Sequence, residues 1–300
     1  MIDCIGFKVE GYTMQEFHDS LAFIDLTMPP ESERMIVNWQ NLRLTYYPNQ
    51  RKLVLMNSLH KFYMAELGDV RQPINWNDFT LWNMEVIKNY LTEVFQVDAK
   101  NFEIHSILEF GLNVETIIKP FDIINRYQSY SGTNDFFTVS PRKGKPIQRE
   151  SCLTDWKIKT YDKGQQAQLS FKNILRYEIV VQQLRKMRQV LKMESITLED
   201  MAKLETWNLL FIELMRIYEC IKKVPWLGSE VDIDTIHKIY AYANAAHASD
   251  IKNTLSVDQN KKLRAKFKTN YELFDKNELN IHEQVKLKMV EKYQQLITTY

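Results

Sequence analysis

Residues 102–115 read FEIHSILEFGLNVE, with Phe102, Ile104, Ser106, Leu108, Phe110, Leu112 and Val114 on one face and Glu103, His105, Ile107, Glu109, Gly111 and Asn113 on the other. Alternation of period two over this length predicts a strand whose first face lies in a core and whose second is mostly polar. Upstream, residues 2–11 alternate in the same way, Ile2, Cys4 and Gly6 against Asp3, Ile5 and Phe7, and predict an opening strand. Thr13 with Glu16 has the spacing of a capping box and predicts a short helix. Residues 42–47 and 52–57 flank Pro48, Asn49 and Gln50 and predict a hairpin. Asn77 or Asp78 is placed to cap a helix through Phe95, with Phe79, Trp82, Val86, Ile87, Tyr90, Leu91 and Val94 at helical spacing.

Downstream, residues 117–130 read as helical after Pro120, and residues 131–149, rich in Gly, Ser, Pro and Lys, read as a long loop. Two more strands are expected at 156–161 and 174–181, and helical spacing prevails beyond Gln182. Thr197 and Asp200 open one helix with Leu204, Trp207, Leu210, Phe211, Leu214 and Ile217 on its apolar stripe; further helices are expected over 231–248 and 275–296. These patterns divide the chain near residue 194, into an α+β domain (1–194) and a helical carboxy-terminal domain (195–300).

At 300 residues, 45% hydrophobic and 26% charged, the chain can bury a sizeable core, which excludes a disordered tail, a collagen and a small disulfide scaffold. No run of eighteen apolar residues and no leader pattern is present, so neither a membrane span nor a signal peptide is expected. Cys4, Cys152 and Cys220 are too scattered for a disulfide framework or a metal knuckle and favour a reducing, cytoplasmic setting. The net charge of +1 conceals an asymmetry: residues 142–192 carry thirteen basic and four acidic side chains, a local +9 against −8 elsewhere. Such a field suits a polyanion, because neutralised phosphates release counterions, although a solvated basic face gives the same pattern.

The chain lacks a GxxxxGK[ST] loop, GxGxxG, GxSxG and HExxH, which argues against ATP hydrolysis, dinucleotide binding and zinc proteolysis. None of the six histidines is two or four residues from another, so no local histidine metal pair can be drawn. Three acidic strand positions remain: Glu109, Asp162 and Glu178. Carboxylates gathered on one sheet stay ionised only with a cation or arginine between them, which makes a divalent-metal site one reading. Pairing of Glu178 with Arg176 or a nearby lysine on a solvated sheet face fits the same spacing.

The motifs Asn57-Ser58-Leu59-His60-Lys61-Phe62-Tyr63, Leu108-Glu109-Phe110-Gly111-Leu112-Asn113, Lys159-Thr160-Tyr161-Asp162-Lys163-Gly164 and Leu175-Arg176-Tyr177-Glu178-Ile179 occur in that order. Their succession, over roughly residues 1–190, resembles the phage and plasmid replication initiators of the phage X or gene II type, and more distantly the Rep_trans initiators of rolling-circle plasmids. The resemblance implies an α+β fold, an antiparallel-sheet nicking domain with helices on one face followed by an all-helical carboxy-terminal region. It also implies a site-specific DNA endonuclease and ligase that nicks one strand through a phosphotyrosine.

Carried over by residue, it implies Tyr161 as nucleophile, Lys163 as phosphate contact, and Glu109, Asp162 and Glu178 as ligands of Mg2+ or Mn2+. Arg142, Lys143, Lys145, Lys157, Lys159 and Arg176 are then the expected contacts to a single-stranded or cruciform DNA origin, with host replication proteins as further partners. A phenol with a pKa near its ordinary value of about 10 needs a metal or lysine to act as a nucleophile, which fits the assignment. Two features depart from the pattern: the histidine-hydrophobe-histidine motif of the wider nicking superfamily is missing, and strict alternation turns Tyr161 and Asp162 to opposite faces. The competing expectation is a non-catalytic DNA-binding or protein-interaction module of a mobile element. Convergence of Glu109, Asp162 and Glu178 to within a single ion's coordination shell separates the two, and their lying on different faces favours the second.

Overall fold

The computed structural model describes residues 1–68, 75–139, 147–169, 171–224, 234, 249–250, 253–275 and 281–299. In chain order the elements are β1 (Ile2–Glu10), α1 (Met14–Phe23), β2 (Met35–Trp39), β3 (Leu42–Tyr47), β4 (Lys52–Ser58), α2 (Leu59–Phe62), α3 (Leu81–Phe95), β5 (Glu103–Glu115), α4 (Pro120–Ile124), β6 (Tyr127–Tyr130) and β7 (Asn134–Asp135). There follow β8 (Phe137–Val139), β9 (Gln148–Cys152), β10 (Trp156–Asp162), α5 (Lys163–Gln166), β11 (Ile174–Val181), α6 (Leu184–Leu191), α7 (Leu198–Met201), α8 (Leu204–Cys220), β12 (Ile221–Lys223), α9 (Val257–Asp275) and α10 (Ile281–Thr298). The fold is α+β with antiparallel pairing, and among the described residues beyond Leu184 it is helical apart from β12.

The chain forms two compact units, and neither is a single stretch of sequence. The first comprises Met1–Leu112, Glu178–Glu213 and Tyr293–Tyr300; the second comprises Asn113–Tyr177 and Leu214–Lys292. This division differs from the expected boundary near residue 194, because α8 begins in the first unit and α10 ends there.

In the first unit the strand order is β2-β3-β4-β1-β5, with β11 next to β5. The expected hairpin closes β3 on β4, Tyr46 opposite Leu53, through a 3-10 turn at Pro48–Gln50. Leu44, Tyr46, Leu53, Leu55, Ile5, Phe7 and Leu108 are buried, and alternation directs them to one face. Helices α1 and α3 cover this face: Phe17 stacks on Tyr46 at 4.8 Å and Phe95 meets Trp39 edge-on at 6.2 Å. Thr13 and Glu16 form the expected capping box.

Helix α3 starts later than the apolar spacing suggested. Its cap is Thr80, not Asn77 or Asp78, and its box partner is Asn83. Trp82, placed on the core stripe by spacing, is 49% exposed, while Met84 takes a buried position.

The second unit contains β10-β9-β8 together with the adjoining ends of β11 and β5, and a three-stranded sheet in the order β12-β6-β7. Only Pro120–Ile124 of the expected helix over 117–130 is helical, because the chain then enters β6. The expected loop over 131–149 holds β7, β8 and the start of β9. Thr197 and Asp200 cap the four-residue α7, and α8 is a separate helix that begins at Leu204. Asp275 ends α9 and does not open the last helix, which begins at Ile281. The helix expected over 231–248 lies outside the described residues, Asp234 excepted. Among the described residues no helix is long and apolar enough to cross a membrane.

Candidate metal centre

Strands β1, β5 and β11 lie side by side and carry Asp3, Glu109 and Glu178. Each residue offers one carboxylate oxygen, and these oxygens all lie within 4.8 Å of one another. Asp3 is 5% exposed and Glu178 fully buried. Local structure aims Asp3 at its neighbours. On β1, Ile2 pairs with Phe110 and Ile5 with Leu108, so three residues of advance on β1 oppose two on β5. The extra residue is a bulge, and it takes Asp3 out of the alternation that would have grouped it with Ile5 and Phe7. Ser58 donates from its hydroxyl to Asp3 Oδ1, and Asn75 donates to Oδ2 at 2.9 Å. Ser58 Oγ also accepts the Lys61 N–H at 3.1 Å as the cap of α2, which fixes the hydroxyl that holds Asp3.

Two ionised carboxylates at this separation repel by on the order of 3 kcal/mol at an effective dielectric constant of about 20. Three of them therefore take up a proton, surround a cation or draw in a basic side chain. The donors are all hard oxygens, without histidine or cysteine, a set suited to Mg2+ or Mn2+ and unsuited to a zinc site.

The structure brings together two of the three acidic residues singled out in the sequence, and adds Asp3. Asp162 belongs to the other compact unit and is not a member of this group. Its Oδ1 accepts the Gln165 N–H at 2.8 Å as the cap of α5. Burial pushes its carboxyl above the ordinary value, offset in part by the N–H groups of Gln165 and Gly164. Asp3 was missed because regular alternation places it among apolar residues. A charged residue in that company was itself the signal of a bulge.

Tyr161 is the last but one residue of β10, opposite Gln148, and is 5% exposed. Lys163 Nζ lies 5.7 Å from the Tyr161 ring centroid and donates to Gln166 Oε1 at 2.6 Å. Thr160 and Tyr161 are both buried, and the β9–β10 ladder runs without a register shift through Tyr161, so both faces of the strand are covered there.

The expected DNA contacts fare differently. Lys157 pairs with Glu150 at 3.0 Å, and Lys159 sits opposite Glu150 in the β9–β10 ladder. Arg176 is 4% exposed and donates to Asn113 Oδ1 at 3.2 Å, which makes it a sheet residue and removes it from the surface a phosphate could reach. Arg142, Lys143 and Lys145 lie outside the described residues. His60 is buried, with Nε2 2.8 Å from Asn77 Oδ1.

No protein-family model matches the chain, and no curated protein matches it. One solved structure is similar: a rolling circle replication initiator protein from Geobacillus stearothermophilus, with a TM-score of 0.41 and 11% identity, covering 78% of this chain and 89% of that one.

Proposed function

We propose that the chain is a rolling-circle-type DNA replication initiator, a divalent-metal-dependent enzyme that nicks and rejoins one DNA strand through a phosphotyrosine. The observation that carries this reading is the convergence of Asp3, Glu109 and Glu178 within 4.8 Å on adjacent strands. The ordered motifs and the +9 stretch over residues 142–192 support it.

In this reading Asp3, Glu109 and Glu178 hold Mg2+ or Mn2+, Asp3 taking the role expected of Asp162. A cation held there would supply positive charge toward DNA phosphate. Tyr161 attacks phosphorus through its hydroxyl oxygen. The bond to the 3′ oxygen breaks, that oxygen takes up a proton, and the 5′ phosphate stays on the tyrosine. Attack by the 3′ hydroxyl reverses the step and rejoins the strand. Lys163, beside the Tyr161 ring, favours the phenolate and contacts the phosphate.

The test is incubation of the purified chain with supercoiled DNA from around its own gene, with Mg2+ or Mn2+. Nicked circles and a covalent 5′ adduct are expected; Tyr161→Phe should lose the adduct, and Glu178→Gln should lose metal-dependent nicking. Absence of both nick and adduct in the unaltered chain overturns the reading. A second reading, a DNA-binding module without catalysis, is favoured by the near-complete burial of Tyr161 and Lys163. It predicts DNA binding that is indifferent to the cation.

A further inference from the structure

Helix α6 follows β11 directly, and only Ile179, Val180 and Val181 separate Glu178 from Gln182. Residues 182–192 contain Arg185, Lys186, Arg188 and Lys192 and no acidic residue. The helix is sharply two-sided. Met187 and Leu191 are buried, and Lys186 is spent on an ion pair with Glu213 of α8 at 3.0 Å. Arg185, Arg188, Gln189 and Lys192 are exposed and stand at positions i, i+3, i+4 and i+7, so they share one face. That face is about 10 Å long at 1.5 Å per residue, and a B-DNA major groove about 12 Å wide admits a helix.

We propose that α6 is a duplex-binding helix that lays Arg185, Arg188, Gln189 and Lys192 against the DNA flanking the nicking position. The three cations complement phosphates, and arginine and glutamine are the side chains that read guanine and adenine edges in the major groove. An anionic membrane is the poorer partner, because none of the large exposed apolar side chains lies in 182–192. The inference rests on the DNA reading of the chain and not on its chemistry.

Lys192 ends the helix in a left-handed conformation, φ 57°, where glycine is at ease. Lys192→Gly therefore removes a charge while relieving the backbone. A residue kept for structure alone would not behave as expected here: the melting temperature holds or rises while DNA affinity falls.

The experiment measures binding of a fluorescent mixed-sequence duplex of about 20 base pairs by anisotropy across a salt series. Arg185→Ala/Arg188→Ala/Lys192→Gly should lower affinity at least tenfold and flatten the log–log salt slope by about 2 to 3, since each phosphate contact contributes about 0.9. Arg185→Lys/Arg188→Lys should keep the slope. Lys186→Ala should lower the melting temperature and leave the slope alone. Gln189→Ala should reduce discrimination among duplex sequences. An unchanged slope in the folded triple variant, or no salt-dependent duplex binding by the unaltered chain, overturns the proposal. Cation-dependent nicking of a single-stranded oligonucleotide is followed in parallel and should survive in the triple variant. If the unaltered chain does not nick but the slope still flattens, the nicking chemistry fails and the helix assignment stands.

Discussion

Asp3 shows how one residue's surroundings override its place in a pattern. Two hydrogen-bond donors, Ser58 and Asn75, hold its carboxylate beside Glu109 and Glu178. A cation that binds all three in the folded chain, and not in the unfolded one, stabilises the fold. Added Mn2+ should therefore raise the melting temperature of the unaltered chain and leave that of Glu178→Gln where it was. Equal Mn2+ shifts in both, by scanning calorimetry, would show that the three carboxylates hold no ion. Asp162 provides a second check at this scale. Its folded carboxyl is raised by burial, so the group favours the folded state below its unfolded pKa and loses that contribution as pH rises through the folded value. Asparagine caps a helix as well as aspartate does. Asp162→Asn should thus equal or exceed the unaltered chain in stability at neutral pH and lose that advantage as pH falls through the carboxylate range. A lower stability at neutral pH, in denaturant titrations without metal, would contradict the raised pKa. From sequence, Glu109 and Glu178 were recognisable as acids on the less apolar faces of their strands. Asp3 was not, because the bulge that turns it toward them is set by pairing to β5, and its one local mark was a charge among apolar residues.

At the level of elements, caps were legible where the box used its usual residues and were missed where it did not. Thr13 with Glu16 and Thr197 with Asp200 were found; Thr80 with Asn83 was not, and the start of α3 was placed at Asn77 or Asp78. Thr80 Oγ1 accepts the Asn83 N–H at 3.2 Å, and Asn83 Oδ1 accepts the Thr80 N–H at 2.8 Å. Thr80→Ala should cost about 1 kcal/mol of stability in urea titrations. Less than a few tenths would mean that packing of Met84, Ile87 and Leu91 holds the first turn unaided. The turn after Tyr161 is tighter still. A Cβ on Gly164 would meet the Lys172 carbonyl oxygen at 2.2 Å, a backbone atom that cannot step aside alone. Gly164→Ala should accordingly lower the melting temperature and displace the Tyr161–Lys163 segment, seen as a changed Tyr161 environment in aromatic NMR spectra. A native spectrum and unchanged melt would show that the segment is pliable.

For the molecule as a whole, two pieces of the carboxy-terminal region, the start of α8 and the end of α10, belong to the first unit. Trp207 and Leu210 are fully buried, Phe211 stacks on Tyr293 at 4.0 Å, and Tyr293 donates to Asn208 at 2.7 Å, all within the first unit. A chain cut at residue 194 loses all of these and should show no cooperative melt by circular dichroism; a sharp transition would mean that residues 1–194 fold alone. By itself the sequence determined β1, the β3–β4 hairpin, β5, β10, β11 and the change to helix beyond Gln182, because hydrophobic period and turn residues act within a few neighbours. It also marked the acidic strand positions and the concentration of positive charge over residues 142–192. Only the tertiary structure decided that Asp3 joins Glu109 and Glu178 while Asp162 caps a helix, that Arg176 is buried, and that the last residues close the first unit. Each of these depends on which strands and helices become neighbours, and that is settled by burial of surface from distant segments, a sum over long-range contacts that no local spacing records.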